Sequence, residues 1–196
     1  MKMKMKNNTL FLVEVAVFSA LALLLDLVSG FIFSRIWPQG GSVSIAMVPV
    51  FLMAFRWGIK GGVATGFLLG LLQVVSGQAW IGHPVQGFID YFLAFSVVGL
   101  SGLFVHSIQQ NVKAGEKKKA IWIGTGAMFI GSLLRFLCHF VSGIVFFGSG
   151  APEGQPVAVF SLIYNGTYML PSFILSAIVV SLLYTSAANV LVRKTA

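Results

Sequence analysis

Charge is scarce in this chain. Of its 196 residues only 9% are Asp, Glu, Lys or Arg, and the acidic residues number five. A soluble domain carries about 25% charged residues, so a water-facing shell is excluded, and the mean hydropathy of +0.92 agrees. Cysteine is nearly missing as well. Cys138 stands alone inside an apolar run, which leaves no intramolecular disulfide and no cysteine metal cluster. Signatures of catalysis are also lacking. No Gly-x-Ser-x-Gly elbow marks a serine hydrolase, and no Gly-x-x-x-x-Gly-Lys-Ser/Thr loop holds ATP. The histidines His83, His106 and His139 fall on different segments, not at the helical spacing of a zinc protease. There is no internal repeat, which weighs against the inverted-repeat design of many secondary transporters. The first apolar run is too long for a signal peptide and lacks a small-residue cleavage pattern.

What is present is a pattern in the positive charge. Eleven of the thirteen Lys and Arg residues lie at the chain ends or in two short gaps between apolar runs. Lys2, Lys4 and Lys6 precede the first run, Arg56 and Lys60 follow the second, Lys113 and Lys117 to Lys119 follow the fourth, and Arg193 and Lys194 close the chain. Cytoplasmic loops collect Lys and Arg, so every second connection is expected inside. The basic excess then orients the chain in a bilayer; nucleic-acid binding would need a basic face with stacking aromatics outside lipid.

Apolar runs near 10–33, 44–55, 61–76, 85–105, 120–147 and 157–192, behind a basic tail at 1–9, predict six helices with both termini cytoplasmic. The expected fold is an all-α integral membrane protein of one domain. The second helix, of about 12 residues, reaches only about 18 Å and does not span alone. Pro171 is expected to kink the sixth. Gly58, Gly62, Gly66 and Gly70 form a stripe on the third helix, and Ala16 and Ala20 a pair on the first. Such small residues serve either packing within the chain or docking of another membrane protein.

Ionisable and amide groups at membrane depth are costly and are functional-site candidates by default. Asp90, Arg135, His139 and Asn165 are of this kind. At 1.5 Å per residue Asp90 lies about 8 Å below the outer end of its helix, and His139 and Asn165 about 12 Å below theirs. Three helices thus bring polar groups to one level, and Arg135, one turn deeper, shares a face with His139. The aromatic residues Trp37, Trp80, Tyr91, Phe146, Phe147, Phe160 and Tyr164 fall near the same level. Together they predict an outward-facing box for a flat, polar, cationic aromatic ligand. The competing expectation is a structural ion pair of Asp90 with Arg135, with the Trp and Tyr residues forming an interfacial belt.

The stretches 38–45 (PQGGSVSI), 83–86 (HPVQ) leading to Asp90 and Tyr91, 131–135 (GSLLR) leading to His139, 142–149 (SGIVFFGS) and 164–168 (YNGTY) resemble the thiamine-specific S components of energy-coupling factor (ECF) transporters. The similarity runs in order from about Glu14 to the end of the sixth helix. It implies a six-helix membrane subunit that captures thiamine outside the cell and works with a transmembrane coupling protein and two cytoplasmic ATPases. It implies no cofactor and no catalytic step. By position, the resemblance makes Asp90 the acid facing the aminopyrimidine and His139 and Asn165 further polar contacts. Tyr91 and Phe147 would be aromatic walls, with Trp80, Phe160 and Tyr164 beside them. Arg135 would hold the acid in place, and Ala16 and Ala20 would contact the coupling protein.

Four positions depart from some members of that family. Asp90 is shorter than glutamate, Phe147 stands where tryptophan can occur, Phe160 lacks a tyrosine hydroxyl, and Ser44 sits where a second acid can occur. These departures leave a pyrimidine precursor open beside thiamine. Residues 34–43, with Gly40 and Gly41 as hinge and Trp37 or Ile36 as cover, are expected to act as a lid or as a plain surface turn. A stand-alone transporter in which Asp90 and His139 relay protons is the alternative mechanism.

Overall fold

The computed structural model describes residues 2–33 and 41–188, with side chains from residue 7 onward. Trp37 and Ile36, most of the expected lid, and the basic residues Arg193 and Lys194 lie outside them. Among the described residues there are six helical rods and no strands: α1 (Lys2–Phe33), α2 (Met47–Trp57), α3 (Ile59–Val75), α4 (Pro84–Lys113), α5 (Lys117–Phe146) and α6 (Val157–Ser186). Four of them, α1 from Asn7 on, α4, α5 and α6, are long and apolar enough to cross a membrane; α2 and α3 are shorter.

α2 is apolar on every side, and every residue from Met47 to Phe55 is buried. A helix of this kind belongs inside a bundle. At 11 residues it is about 16 Å long, and its neighbours cover the ends that lipid would otherwise leave bare. Gly58 joins α2 to α3 in a single residue, at φ 72°, a backbone conformation open to glycine. The glycine stripe then faces α4 and not the outside. A Cβ on Gly62 would sit 2.5 Å from the Gly99 Cα, one on Gly66 would strike the Phe95 carbonyl, and one on Gly70 the Tyr91 carbonyl. The stripe is spent on backbone-to-backbone packing within the chain, which sets aside the docking-face expectation for these four glycines.

The even number of helices brings both described ends to one end of the bundle. There Glu14 of α1 accepts from Arg56 Nε and Nη2, both at 2.7 Å, and from the Trp57 indole. Gln109 of α4 caps the last carbonyls of α2, and Lys117 donates to the Thr185 carbonyl of α6 at 3.0 Å. Both charges of the Glu14–Arg56 pair are more than four-fifths covered. Arg56→Ala is therefore expected to lower stability by about 1 to 3 kcal/mol, read as a lower unfolding temperature in detergent; an unchanged midpoint would mean that the pair does not brace the helices.

Helix bounds differ from expectation where polar residues continue a helix past the apolar run. α1 starts at Lys2, so the tail is helical, and α4 runs on to Lys113. α6 continues through Pro171. Ser172 donates to the Tyr168 carbonyl at 2.7 Å and accepts from the Ser44 amide at 3.0 Å, so the turn around the proline is tied to the segment leading into α2.

Candidate functional site

At the end of the bundle opposite Arg56 and Lys117, a cavity of about 750 Å³ draws its lining from all six helices. Asp90, Tyr91, Arg135, His139, Phe147, Phe160, Tyr164, Asn165 and Trp80 all line it. Of the residues expected at the site, only Trp37 is left out, because it lies outside the described residues.

Asp90 owes its position to a defect in α4. Residues Phe88–Leu93 form a π-helical turn, a local widening often found at functional sites. Asp90 is 7% exposed. Gln86, one turn earlier, donates from Nε2 to Oδ2 at 2.7 Å, and His139 Nδ1 of α5 lies 3.2 Å from Oδ1. The ion pair of Asp90 with Arg135 does not form. Arg135 instead places its guanidinium over the Phe95 ring, 5.1 Å from the centroid. This corrects the role assigned to Arg135: Gln86 and His139 hold the acid, and the arginine is occupied by an aromatic face. Arg135 Nε and His139 Nε2 are buried without hydrogen-bond partners, and both side chains border the cavity. Unmet polar atoms of this kind are costly unless a ligand or water completes them.

Asn165 spans α5 and α6. Its Nδ2 donates to the His139 carbonyl at 3.3 Å and to the Ser161 carbonyl at 3.0 Å, while Oδ1 accepts from the Tyr168 hydroxyl at 2.7 Å. The aromatic wall comes in two groups. Trp80 lies 5.4 Å from Phe147, Phe160 lies 5.9 Å from Tyr164, and Tyr164 meets Tyr168 edge-on. The Tyr91 hydroxyl accepts from the Trp80 amide at 2.8 Å, which pins the loop before α4. Gly41, at φ 69°, presses against the Tyr168 ring, where a side chain would collide.

Asp26, Gln73, Gln86 and Tyr168 also line the cavity and were not singled out from the sequence. For Asp26 the signal was there: an acid within the apolar run of α1 satisfies the same rule that selects Asp90. The glutamines and Tyr168 carry no such mark. Among the described residues no group of three or more His, Cys, Asp or Glu side chains gathers to hold a metal ion.

Comparison with known proteins agrees over nearly the whole chain. The model of a family described as thiamine transporter protein (Thia_YuaJ) matches residues 12–192. The thiamine transporter ThiT of Bacillus subtilis (strain 168) is 49% identical over 189 residues, 96% of this chain and 97% of its own length. A ThiT of Lacticaseibacillus paracasei is 36% identical over 155 residues, 78% of this chain and 77% of that protein. A solved structure of ThiT from Listeria monocytogenes superposes with a TM-score of 0.87 at 32% identity, over 95% of this chain and 100% of that one.

Proposed function

Because the chain belongs to the thiamine transporter (Thia_YuaJ) family, we propose that it is the substrate-binding S component of an ECF transporter, capturing thiamine at the extracellular side of the cell membrane for ATP-driven uptake. The observation that carries this reading is the Asp90–Gln86–His139 group set in an aromatic cavity. A carboxylate held by an amide and an imidazole suits an aminopyrimidine, whose amino group donates and whose ring nitrogen accepts. The aromatic walls suit a flat cation. Arg56, Lys113 and Lys117 to Lys119 belong to the far end of the bundle, and by the positive-inside rule that end is cytoplasmic. The cavity then opens outward, and both termini lie inside.

Ala16 and Ala20 are exposed on α1, beside exposed Leu12, Val13, Val17 and Leu21. A small-residue patch left uncovered by the described residues fits close approach of another membrane helix, which is the role proposed for a transmembrane coupling protein. Two cytoplasmic ATPases would supply the energy, since the chain has no nucleotide loop of its own.

Thiamine titration of the purified protein, followed by tryptophan quenching, tests the ligand. Saturable submicromolar binding, more than about 8 kcal/mol, is expected. Reconstitution in liposomes tests the mechanism. The chain alone is expected to accumulate no thiamine under a pH gradient, and to do so only with coupling protein, ATPases and ATP. Gradient-driven accumulation by the chain alone would instead support Asp90 and His139 as a proton relay and sink the S-component reading.

A further inference from the structure

The cavity holds a second carboxylate. Asp26 projects from α1, seven residues before Phe33, and borders the same cavity as Asp90. Both of its oxygens accept hydrogen bonds from neutral groups: Ser44 Oγ reaches Oδ1 at 2.6 Å, and Gln73 Nε2 of α3 reaches Oδ2 at 2.6 Å. Ser44 is itself fixed, because its oxygen accepts from the Ala46 amide at 3.1 Å and its own amide donates to Ser172 of α6. These donors orient the carboxylate without neutralising its charge. No Lys, Arg or His side chain within 4 Å forms an ion pair with Asp26 among the described residues, and the one Lys or Arg that lines the cavity, Arg135, is turned to Phe95.

Among the described residues the formal charges of the lining follow: two carboxylates against one guanidinium, with a surplus of one negative charge when His139 is neutral. Once a bound ligand excludes water from the cavity, such a surplus is costly unless the ligand is a cation. We infer that Asp26, held by Ser44 and Gln73, is the counter-charge for the cationic ring of the ligand and makes the site selective for a monocation over neutral or phosphorylated forms. Asp90 then reads the neutral pyrimidine end and Asp26 the charged end. Adding a phosphate brings negative charge toward a cavity that already has it in excess, and loses affinity for the same reason. This inference rests on the thiamine reading and refines it.

The test compares thiamine with 3-deazathiamine, a neutral isostere in which the charged ring nitrogen is carbon, on the parent chain and on Asp26→Asn. Asparagine keeps the shape, and Gln73 can turn its amide to meet it, so the unfolding midpoint serves as a check on the fold. Thiamine binding is expected to fall by at least roughly tenfold while 3-deazathiamine changes by less than about threefold, the signature of a lost charge interaction. The parent chain is also expected to bind thiamine more tightly than thiamine monophosphate, a comparison that needs no variant. Equal losses for both ligands, or unchanged thiamine affinity, would overturn the role of Asp26 while leaving thiamine as the ligand. A folded parent chain that binds neither ligand would overturn the thiamine reading itself, and this inference with it.

Discussion

Asp90→Ala is expected to weaken thiamine binding by at least about tenfold, or about 1.4 kcal/mol, with the fold retained. The carboxylate is the acceptor that an aminopyrimidine requires, and it is almost fully withdrawn from water. Alanine removes that acceptor, leaving Gln86 Nε2 with only the Trp80 carbonyl at 3.2 Å and His139 Nδ1 without its carboxylate neighbour. A buried donor without its partner costs about 1 to 3 kcal/mol. In the free protein water can enter the cavity and meet these donors; with ligand bound that water is excluded, so the penalty appears in binding more than in folding. Trp80 borders the cavity beside Phe147, so quenching of tryptophan emission reads the event directly. Asp90→Asn separates charge from shape: a loss close to that of alanine would assign the effect to the negative charge. Unchanged thiamine affinity in both variants would remove Asp90 from the site.

Much of this arrangement is legible in the sequence because lipid is an intolerant solvent. A helix exposes its side chains to hydrocarbon, so an Asp, Arg, His or Asn inside an apolar run must face inward. Asp90, Arg135, His139 and Asn165 do converge on one cavity. Charge at the helix ends likewise reveals how many times the chain turns.

What stayed hidden depends on contacts distant in sequence. The hydrogen bonds that make Asp26 part of the site come from residues 18 and 47 positions away, and nothing in α1 alone announces them. Opposite charges suggested an Asp90–Arg135 pair, whereas the fold offers Arg135 the Phe95 ring and gives Asp90 to Gln86 and His139. The π-helical turn has no compositional mark, although it decides where Asp90 points. The end of α4 escaped for a simpler reason. Residues 105–113 are too polar to read as an apolar run, yet Gln109 ties them to α2 as the helix continues.

The frame that carries the site is expected to fail at Gly66. A Cβ there would overlap the Phe95 carbonyl oxygen and lie 2.6 Å from its carbon and 3.1 Å from the Ser96 nitrogen. These are backbone atoms of α4, which have no rotamer through which to retreat. Gly66→Val must therefore push α3 and α4 apart. Inserting methyl groups into a packed interior costs about 1 to 3 kcal/mol, occasionally more, and backbone contact on both sides puts this site at the upper end. The separation also reaches the ligand. Asp90, Tyr91 and Phe95 ride on α4, whereas Gln73, which fixes Asp26, rides on α3, so the two ends of the cavity move apart together. A lower unfolding midpoint and at least roughly tenfold weaker thiamine binding are expected in the same variant. Gly126→Ala on α5 and Gly166→Ala on α6 are the controls, since nothing lies within 4 Å of a Cβ at either position. There alanine is expected to be neutral or slightly stabilising, because it favours the helix by about 1 kcal/mol over glycine. If Gly66→Val melted and bound like these controls, α3 and α4 would not be in backbone contact, and the cavity would need another support.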